Sequence, residues 1–251
     1  MLQQHKGTAR GLSSIIFVIM MLTAVGGAET AEGWTTEERA YIANSPVIKA
    51  ATSSGAAPLA FADGKGEVQG IFRGVMDRIA QISGLTFEYQ AYDSLEAIFN
   101  SDADIIFGIS PNYAPSGMQL SQPFLESEAI IYMNQGVASQ QLEGRIFAAI
   151  EGGVLPEGIN AENAIFFATR EDSLDAVEAG IADYGYGNAY SVVYYSSLKD
   201  YQNLITVPRG KEPRKYSVGL LHGDEVLLSI INKSISSITT SQMQTLILDV
   251  A

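Results

Sequence analysis

The stretch DIIFGISPNYAPSGMQLSQPFLES, residues 104–127, decides the fold of this chain. It opens with an apolar run that stops at Gly-Ile-Ser, ending in Ser110. It continues as a loop of small and polar residues and closes with Ser-x-Pro-Phe at Phe124. A short apolar run bounded by turn residues is typical of a strand buried on both faces. We therefore predict a central strand whose carboxyl end presents Ser110 to a loop.

Strand and helix patterns alternate on both sides of this run. Upstream, VIKAATS and LTFEYQAY have the pattern of strands, and an apolar series at helical spacing lies between them. This β-α-β-α-β order indicates a mainly parallel sheet with helices on both faces. A second series begins after residue 127. The sequence therefore predicts an α/β fold of two lobes, each a mainly parallel sheet flanked by helices, with a ligand cleft at the carboxyl ends of the strands.

The composition is that of an acidic globular protein. The chain has 251 residues, 47% of them hydrophobic, no Cys and a net charge of -13. At this length roughly 70% of the unfolded surface can be buried, so a stable core needs no disulfide. The acidic charge argues against nucleic acid as a partner. One basic cluster, PRGKEPRKY at residues 208–216, is typical of a solvated loop between two strands and, secondarily, of an anion contact.

Residues 1–28 have the order of a secretory signal, with basic residues first, then an apolar run, then small residues. The densest apolar part, Ile15–Val25, is short for a bilayer span. We predict a signal peptide that is cleaved after Ala28 or Ala31 and a periplasmic location. An uncleaved signal anchor is the alternative.

Six motifs follow one another in an order that points to a known family. They are TTEERAYIANSPVIKAA (35–51), APLAFADGKGEVQGI (57–71), ADIIFGIS (103–110), SQPFLES (121–127), LEGRIFAAIEGG (142–153) and VEAGIADYGYGN (177–188). In this order they resemble the periplasmic solute-binding proteins of family 3, the amino-acid-binding type of Venus-flytrap domain. The resemblance runs from about Thr35 to Val250, and the first motif resembles the lead-in of sensor domains in envelope receptor kinases.

The resemblance implies two lobes joined by crossing strands. Lobe 1 would comprise residues 29–126 plus 214–251, and lobe 2 residues 127–213. Such proteins close over a small ligand, without a cofactor. The closed form either presents the ligand to an ABC transporter permease or signals through a membrane sensor kinase.

The charged groups that the family uses to hold an amino acid are absent from the matching positions. An Arg that pairs with the ligand carboxylate would fall on Ala114 or Pro115, and the acids that hold the ammonium would fall on Gly74 and Asn188. A buried carboxylate without a partner is strongly unfavourable. We therefore expect a ligand that is not a standard amino acid but a neutral or weakly polar molecule.

Hydroxyl, amide and aromatic side chains remain as candidates for the cleft wall. Ser110 and Asn112 would form hydrogen bonds and the aromatic rings would form walls, with core packing as the alternative for Phe61 and Phe72. The predicted ligand-binding residues are Ser53, Ser54, Phe61, Phe72, Ser110, Asn112, Tyr113, Gly153 and Asn188.

No catalytic residue and no metal ligand is predicted. The chain has no Cys, and outside the N-terminal segment its one His is His222, so no nucleophile has an evident base. We predict a binding or sensing protein. The alternatives are a degenerate flytrap that acts through a protein partner without a small ligand, and an enzyme on the same fold.

Overall fold

The structure is a computed structural model that describes residues 33–137, 141–151, 153–210 and 212–250. The predicted signal peptide, residues 1–28, lies outside the described residues. In the described part of the chain, no helix is both long and apolar enough to cross a membrane.

The β-α-β-α-β order predicted for the first part of the chain is present, and the structure adds short strands to it. The helices are α1 (Thr36–Asn44), α2 (Ile71–Ser83), α3 (Leu95–Phe99), α4 (Arg170–Glu178), α5 (Ala189–Lys199), α6 (Glu225–Ser237) and α7 (Thr240–Leu248). The strands are β1 (Ile48–Ser53), β2 (Phe61–Ala62), β3 (Val68–Gln69), β4 (Phe87–Tyr92), β5 (Ile105–Ile109), β6 (Gln119–Leu120), β7 (Leu125–Ser127), β8 (Ala129–Asn134), β9 (Phe147–Ile150), β10 (Ala164–Phe167), β11 (Tyr184–Asn188), β12 (Leu204–Pro208) and β13 (Arg214–Leu220).

The first lobe is built on a sheet in the order β4-β1-β5-β13-β6, with β7 paired to β13. Strands β4, β1 and β5 run parallel, and β13 lies antiparallel to β5. Ile105, Ile106 and Phe107 of β5 are no more than 1% exposed, because the sheet and its helices cover both faces. The buried strand predicted from the apolar run is therefore confirmed.

The second lobe is built on a sheet in the order β10-β9-β11-β8-β12. Strands β10, β9 and β11 run parallel, and β8 and β12 continue the sheet in antiparallel pairs. Each sheet thus has a parallel core of three strands to which antiparallel strands are added. The predicted α/β fold of two lobes with helix-flanked sheets is confirmed, but the sheets are mixed rather than mainly parallel, because the strands that lead into and out of each parallel core pair antiparallel.

Strands β7 and β13 carry the chain from one lobe to the other and back. They pair with each other, with Arg214 opposite Ser127 and Tyr216 opposite Leu125. The two crossings therefore form a single antiparallel ribbon. We propose that the lobes divide at this ribbon, after residue 126 and before residue 214.

Helix α2 supplies much of the core of the first lobe. Ile71, Val75 and Ile79 recur every four residues and are all fully buried. They pack in one cluster with residues of the central strands and of α6. The apolar series at helical spacing in the sequence thus marks the face of a helix that covers the sheet.

Helix α1 is fixed to α6 through a buried carboxylate, Glu38. Its oxygens accept hydrogen bonds from Thr35 N, Ser229 Oγ and Lys233 Nζ, each at 2.7 Å. Burial alone would raise the pKa of Glu38, but these hydrogen bonds, led by that from Lys233, lower it from 4.5 to about 2. The carboxylate therefore both caps α1 and ties the helix to the first lobe.

Replacement of Glu38 by Gln should lower the free energy of unfolding by about 2 kcal/mol, because a buried charge-assisted network loses its anion. Since the folded-state pKa is depressed, the contribution of Glu38 is complete above about pH 4.5 and declines as the pH falls towards 2. Urea denaturation of wild type and Glu38→Gln should show that the difference between their free energies of unfolding becomes smaller as the pH is lowered from 4.5 towards 2. Glu37→Gln, an exposed neighbour in the same helical turn, is the control. If Glu37→Gln and Glu38→Gln lowered the free energy of unfolding equally, the role of Glu38 in fixing α1 to α6 would be contradicted.

Candidate ligand cleft

The carboxyl ends of β1 and β5 open into a cleft between the lobes. A cavity of about 240 Å³ lies there, which we call the first chamber, and Ser53, Ser54 and Ser110 form part of its wall. The neighbouring Thr52 donates its hydroxyl to the carbonyl of Phe107 at 3.0 Å, so it joins the two strands. The serines occupy the first chamber because parallel strands end on the same edge of the sheet.

Seven of the nine predicted ligand-binding residues line the first chamber. They are Ser53, Ser54, Phe72, Ser110, Tyr113, Gly153 and Asn188. Asn112 lines an adjoining cavity of about 340 Å³, which we call the second chamber. Phe61 lines neither chamber, because its ring packs against the apolar cluster of the second lobe that contains Ile130 and Val192.

Phe72 belongs to the core and to the cleft at once. It is 3% exposed, and its ring packs edge-on against Phe124 with 5.4 Å between centroids and against Tyr216 at 5.0 Å. Gly108 on β5 admits this ring. It has a φ of 83°, and a Cβ built on it would lie 2.2 Å from Cδ2 of Phe72. The core and wall interpretations of Phe72 are therefore compatible.

Asn188 lines the first chamber, yet its side chain is held by the start of α5. Its Oδ1 accepts the N–H of Ser191 at 2.8 Å, and its Nδ2 donates to Ser191 Oγ at 3.1 Å. Asp183, at the other end of β11, accepts the N–H of Ile146 at 2.7 Å and lies 3.7 Å from Arg145. Both side chains therefore have structural partners, as is typical of helix caps and loop-fixing acids.

The loop after β1 touches the second lobe directly. Ser191 Oγ of α5 donates to the carbonyl of Ala56 at 3.4 Å. Ala57 packs in the same cluster as Ile130 and Tyr195 of the second lobe. The two lobes thus meet on one side of the first chamber.

Charged side chains enter the cleft from elements other than the loop after β5. Arg170, Arg214, Asp93 and Glu151 all line the first chamber. The prediction that the charged partners of a zwitterion are missing is therefore wrong for the cleft as a whole, although it holds for the positions that the family motif assigns. Sequence reasoning gave no signal for Arg170, which is the first residue of α4 after the capping Thr169. For Arg214, which opens the strand that crosses between the lobes, the one signal was the basic cluster at residues 208–216.

Arg170 is held in place by the interior of the second lobe. Its Nη1 donates to the hydroxyl of Tyr132 at 2.6 Å, and that hydroxyl lies 2.9 Å from Ser173 Oγ. Tyr132 is fully buried. Because a guanidinium has five N–H donors, one bond to a phenol leaves most of its donors free.

Within the described residues, no group of three or more His, Cys, Asp or Glu side chains is arranged to hold a metal ion. The polar groups of the two chambers are hydroxyls, amides, guanidiniums and isolated carboxylates. This set suits the binding of a small polar molecule.

Among curated proteins, the chain is similar to a bacterial sensor protein. No protein-family profile matches the chain. The virulence sensor protein BvgS of Bordetella bronchiseptica is 22% identical over 228 residues, and so is BvgS of Bordetella pertussis. The match covers 85% of this chain and 18% of each relative. The chain thus spans less than a fifth of the length of the curated relatives that it matches.

Comparison with solved structures gives two-lobed domains. The periplasmic VFT2 domain of Bordetella pertussis BvgS superposes with a TM-score of 0.74 and 20% identity, covering 87% of this chain and 99% of that domain. The chain has the two-lobed Venus-flytrap fold. A substrate-binding protein of an ABC uptake transporter from Streptococcus pneumoniae, solved with bound histidine, gives a TM-score of 0.69 and 17% identity, covering 83% of this chain and 93% of that one. The neighbours are binding and sensor domains, and at these identities the likeness establishes the fold alone.

Replacement of Gly108 by Ala should destabilise the chain by roughly 3 kcal/mol or more, because it combines a left-handed backbone with a clash against Phe72. Gly117→Ala is the matched control. Its φ is 85°, and nothing lies within 4 Å of a Cβ built there. The control should cost about 1 kcal/mol, from the backbone alone. Urea denaturation measures both, and equal losses would show that Phe72 does not depend on Gly108.

Proposed function

We propose that this chain binds a small molecule in the cleft between its lobes, and that the bound molecule favours the closed arrangement. The observation that carries the proposal is the composition of the first chamber. Ser110 comes from the first lobe, Ser191 from the second, and Tyr216 from the strand that crosses between them. A ligand that touches all three surfaces gains contacts on closure that it lacks when the lobes are apart.

Such a ligand works by differential affinity. It shifts the equilibrium between open and closed forms only as far as it binds the closed form better. The crossing ribbon of β7 and β13 is the natural hinge, because it is the covalent connection that the lobes share. Binding therefore becomes a change in the relative position of the lobes, which a transporter or a receptor is able to detect.

Sensing in the periplasm is the role that we favour over transport. Support comes from the relatives, since the curated protein that matches 85% of this chain is described as a virulence sensor and the superposed VFT2 domain is periplasmic. The role would require a membrane sensor kinase as the partner. A transporter-coupled role would require the second lobe or the first to dock on an ABC permease instead.

Catalysis forms no part of the proposal. The carboxylates of the first chamber are Asp93 and Glu151, both exposed. Asp93 accepts a hydrogen bond from Ser54 at 3.0 Å. Among the described residues, no His, Cys or Lys lines either chamber, so these common general bases and nucleophiles are not part of their walls.

Thermal denaturation of the full chain against a metabolite panel should give at least one stabilising compound. A ligand at a hundred times its dissociation constant adds about 2.7 kcal/mol of stability. Ser110→Ala should reduce the shift, because Ser110 is buried at the chamber wall. Ser116→Ala, an exposed serine of the same loop, should leave the shift unchanged.

Closure is measured separately with a pair of spin labels. The chain has no Cys, so Lys65→Cys and Glu162→Cys place single labels on exposed sites of the two lobes. The distance distribution between the labels should change when the stabilising compound is added. A panel without any stabilising compound, or binding without a change in distance, would overturn the proposal in favour of a domain that acts through a protein partner.

A further inference from the structure

Three arginines line the second chamber, and none of the other described residues in its wall is acidic. Arg170, Arg209 and Arg214 come from the start of α4, the end of β12 and the start of β13. The other lining residues are apolar or uncharged, including Asn112 and Tyr113 of the first lobe. In a chain with a net charge of -13, it is unusual that all the charged residues among the described wall of a chamber are cationic.

These guanidiniums lack the carboxylate partners that most other basic residues in the described part of the chain have. Within the described residues, none of the three lies within 4.0 Å of a carboxylate oxygen. By contrast, six basic residues elsewhere in the described part form ion pairs, namely Lys49, Arg73, Arg145, Lys199, Lys215 and Lys233. All three arginines are half-buried, so water screens their mutual repulsion only in part.

Aromatic rings and hydroxyls hold the guanidiniums in position without neutralising them. Arg209 lies over the ring of Tyr186, 3.9 Å from its centroid, and Arg214 lies 5.6 Å from the centroid of Tyr113. Arg170 donates to the hydroxyl of Tyr132. Each contact uses a ring face or a neutral oxygen, so the positive charge stays available to an incoming group.

We infer that the second chamber is an anion subsite, which holds the carboxylate or phosphate group of a small organic acid while the rest of the molecule occupies the first chamber. This inference rests on the proposed function and names the class of its ligand. The chambers adjoin, because Tyr113, Ile150, Gly153, Arg170 and Arg214 line both. The hydroxyls and carboxylates of the first chamber suit an uncharged polar or cationic remainder.

The subsite also explains how a ligand would close the lobes. Arg170 and Arg209 belong to the second lobe, Arg214 to the crossing ribbon, and Tyr113 to the first lobe. Anion binding relieves repulsion among three cations and joins surfaces from both sides of the hinge. Charge-assisted hydrogen bonds to guanidinium are among the stronger contacts that a small ligand forms.

The test compares charged probes with uncharged analogues on the full chain. Thermal shift and calorimetry are run with succinate against succinamide, with glucose 6-phosphate against glucose, and with citrate and inorganic phosphate. At least one anion should stabilise the chain where its uncharged analogue does not, and its affinity should fall as the salt concentration rises. The succinate and glucose 6-phosphate arms separate a carboxylate head from a phosphate head.

Single substitutions then locate the anion. Arg209→Gln and Arg214→Gln should each weaken binding of the stabilising anion by a factor of about 10 to 100. Lys215→Gln is the matched control, since it removes one positive charge from the residue next to Arg214, is exposed, and pairs with Glu126 outside the chamber. The control should change the affinity by less than about twofold.

Two outcomes would overturn the inference. One is that no anion stabilises the chain beyond its uncharged analogue, and the other is that Lys215→Gln weakens binding as much as Arg209→Gln. If an uncharged compound stabilises the chain through Ser110 while every anion fails, the proposed function stands and the anion subsite does not. If neither class of compound binds, both proposals fail.

Discussion

The pairing of β7 with β13 is the constraint on which the rest of the structure depends. The chain crosses between the lobes twice, and Arg214 opposite Ser127 and Tyr216 opposite Leu125 turn the two crossings into one ribbon. A single ribbon holds the facing edges of the lobes together, and in the closure that we propose it would be the hinge. The chambers lie where this ribbon keeps the carboxyl ends of the parallel strands of the two sheets on opposite sides of one gap.

The same ribbon carries polar side chains that line the cleft. Tyr216 packs on Phe72 in the core, while Arg214 of the same strand lines both chambers and Lys215 between them faces solvent. Because successive side chains of a strand point to opposite faces, Arg214 and Tyr216 both reach the first chamber and Lys215 points away from it. Burial raises the pKa of the Tyr216 phenol, and the nearby charges of Arg214 and Arg170 oppose that rise. The buried Tyr216 phenol therefore interacts electrostatically with the two arginines that line the cleft.

The fold was open to prediction because its signals are local. The apolar run of β5, the helical spacing of Ile71, Val75 and Ile79, and the helix-capping Thr35 each depend on neighbours within a few residues. The serines at the strand ends were predictable for the same reason, because strand direction in a parallel sheet fixes which end meets the cleft. Strand direction accounts for Ser53, Ser54 and Ser110, whereas Phe72, Tyr113, Gly153 and Asn188, which also line the first chamber, were expected only from the family resemblance.

The positive charge of the cleft could not be predicted from local sequence patterns. Arg170, Arg209 and Arg214 share one chamber only because two lobes pack across a hinge, and no spacing rule relates a helix start to a strand end 40 residues away. The 208–216 cluster illustrates the limit, since Lys215 behaves as a solvated base while its neighbours Arg209 and Arg214 face the chamber. Phe61 shows the converse, an aromatic side chain whose partners lie on the other lobe.

The anchoring of both ends of the described chain on one lobe has a mechanical consequence. Helix α1 packs on α6 through Glu38, and α7 packs on α2. A force applied to both ends would therefore run through the helices of the first lobe and bypass the crossing ribbon. The second lobe lies outside this load path, so in the closure that we propose its displacement would not lengthen the path between the two ends.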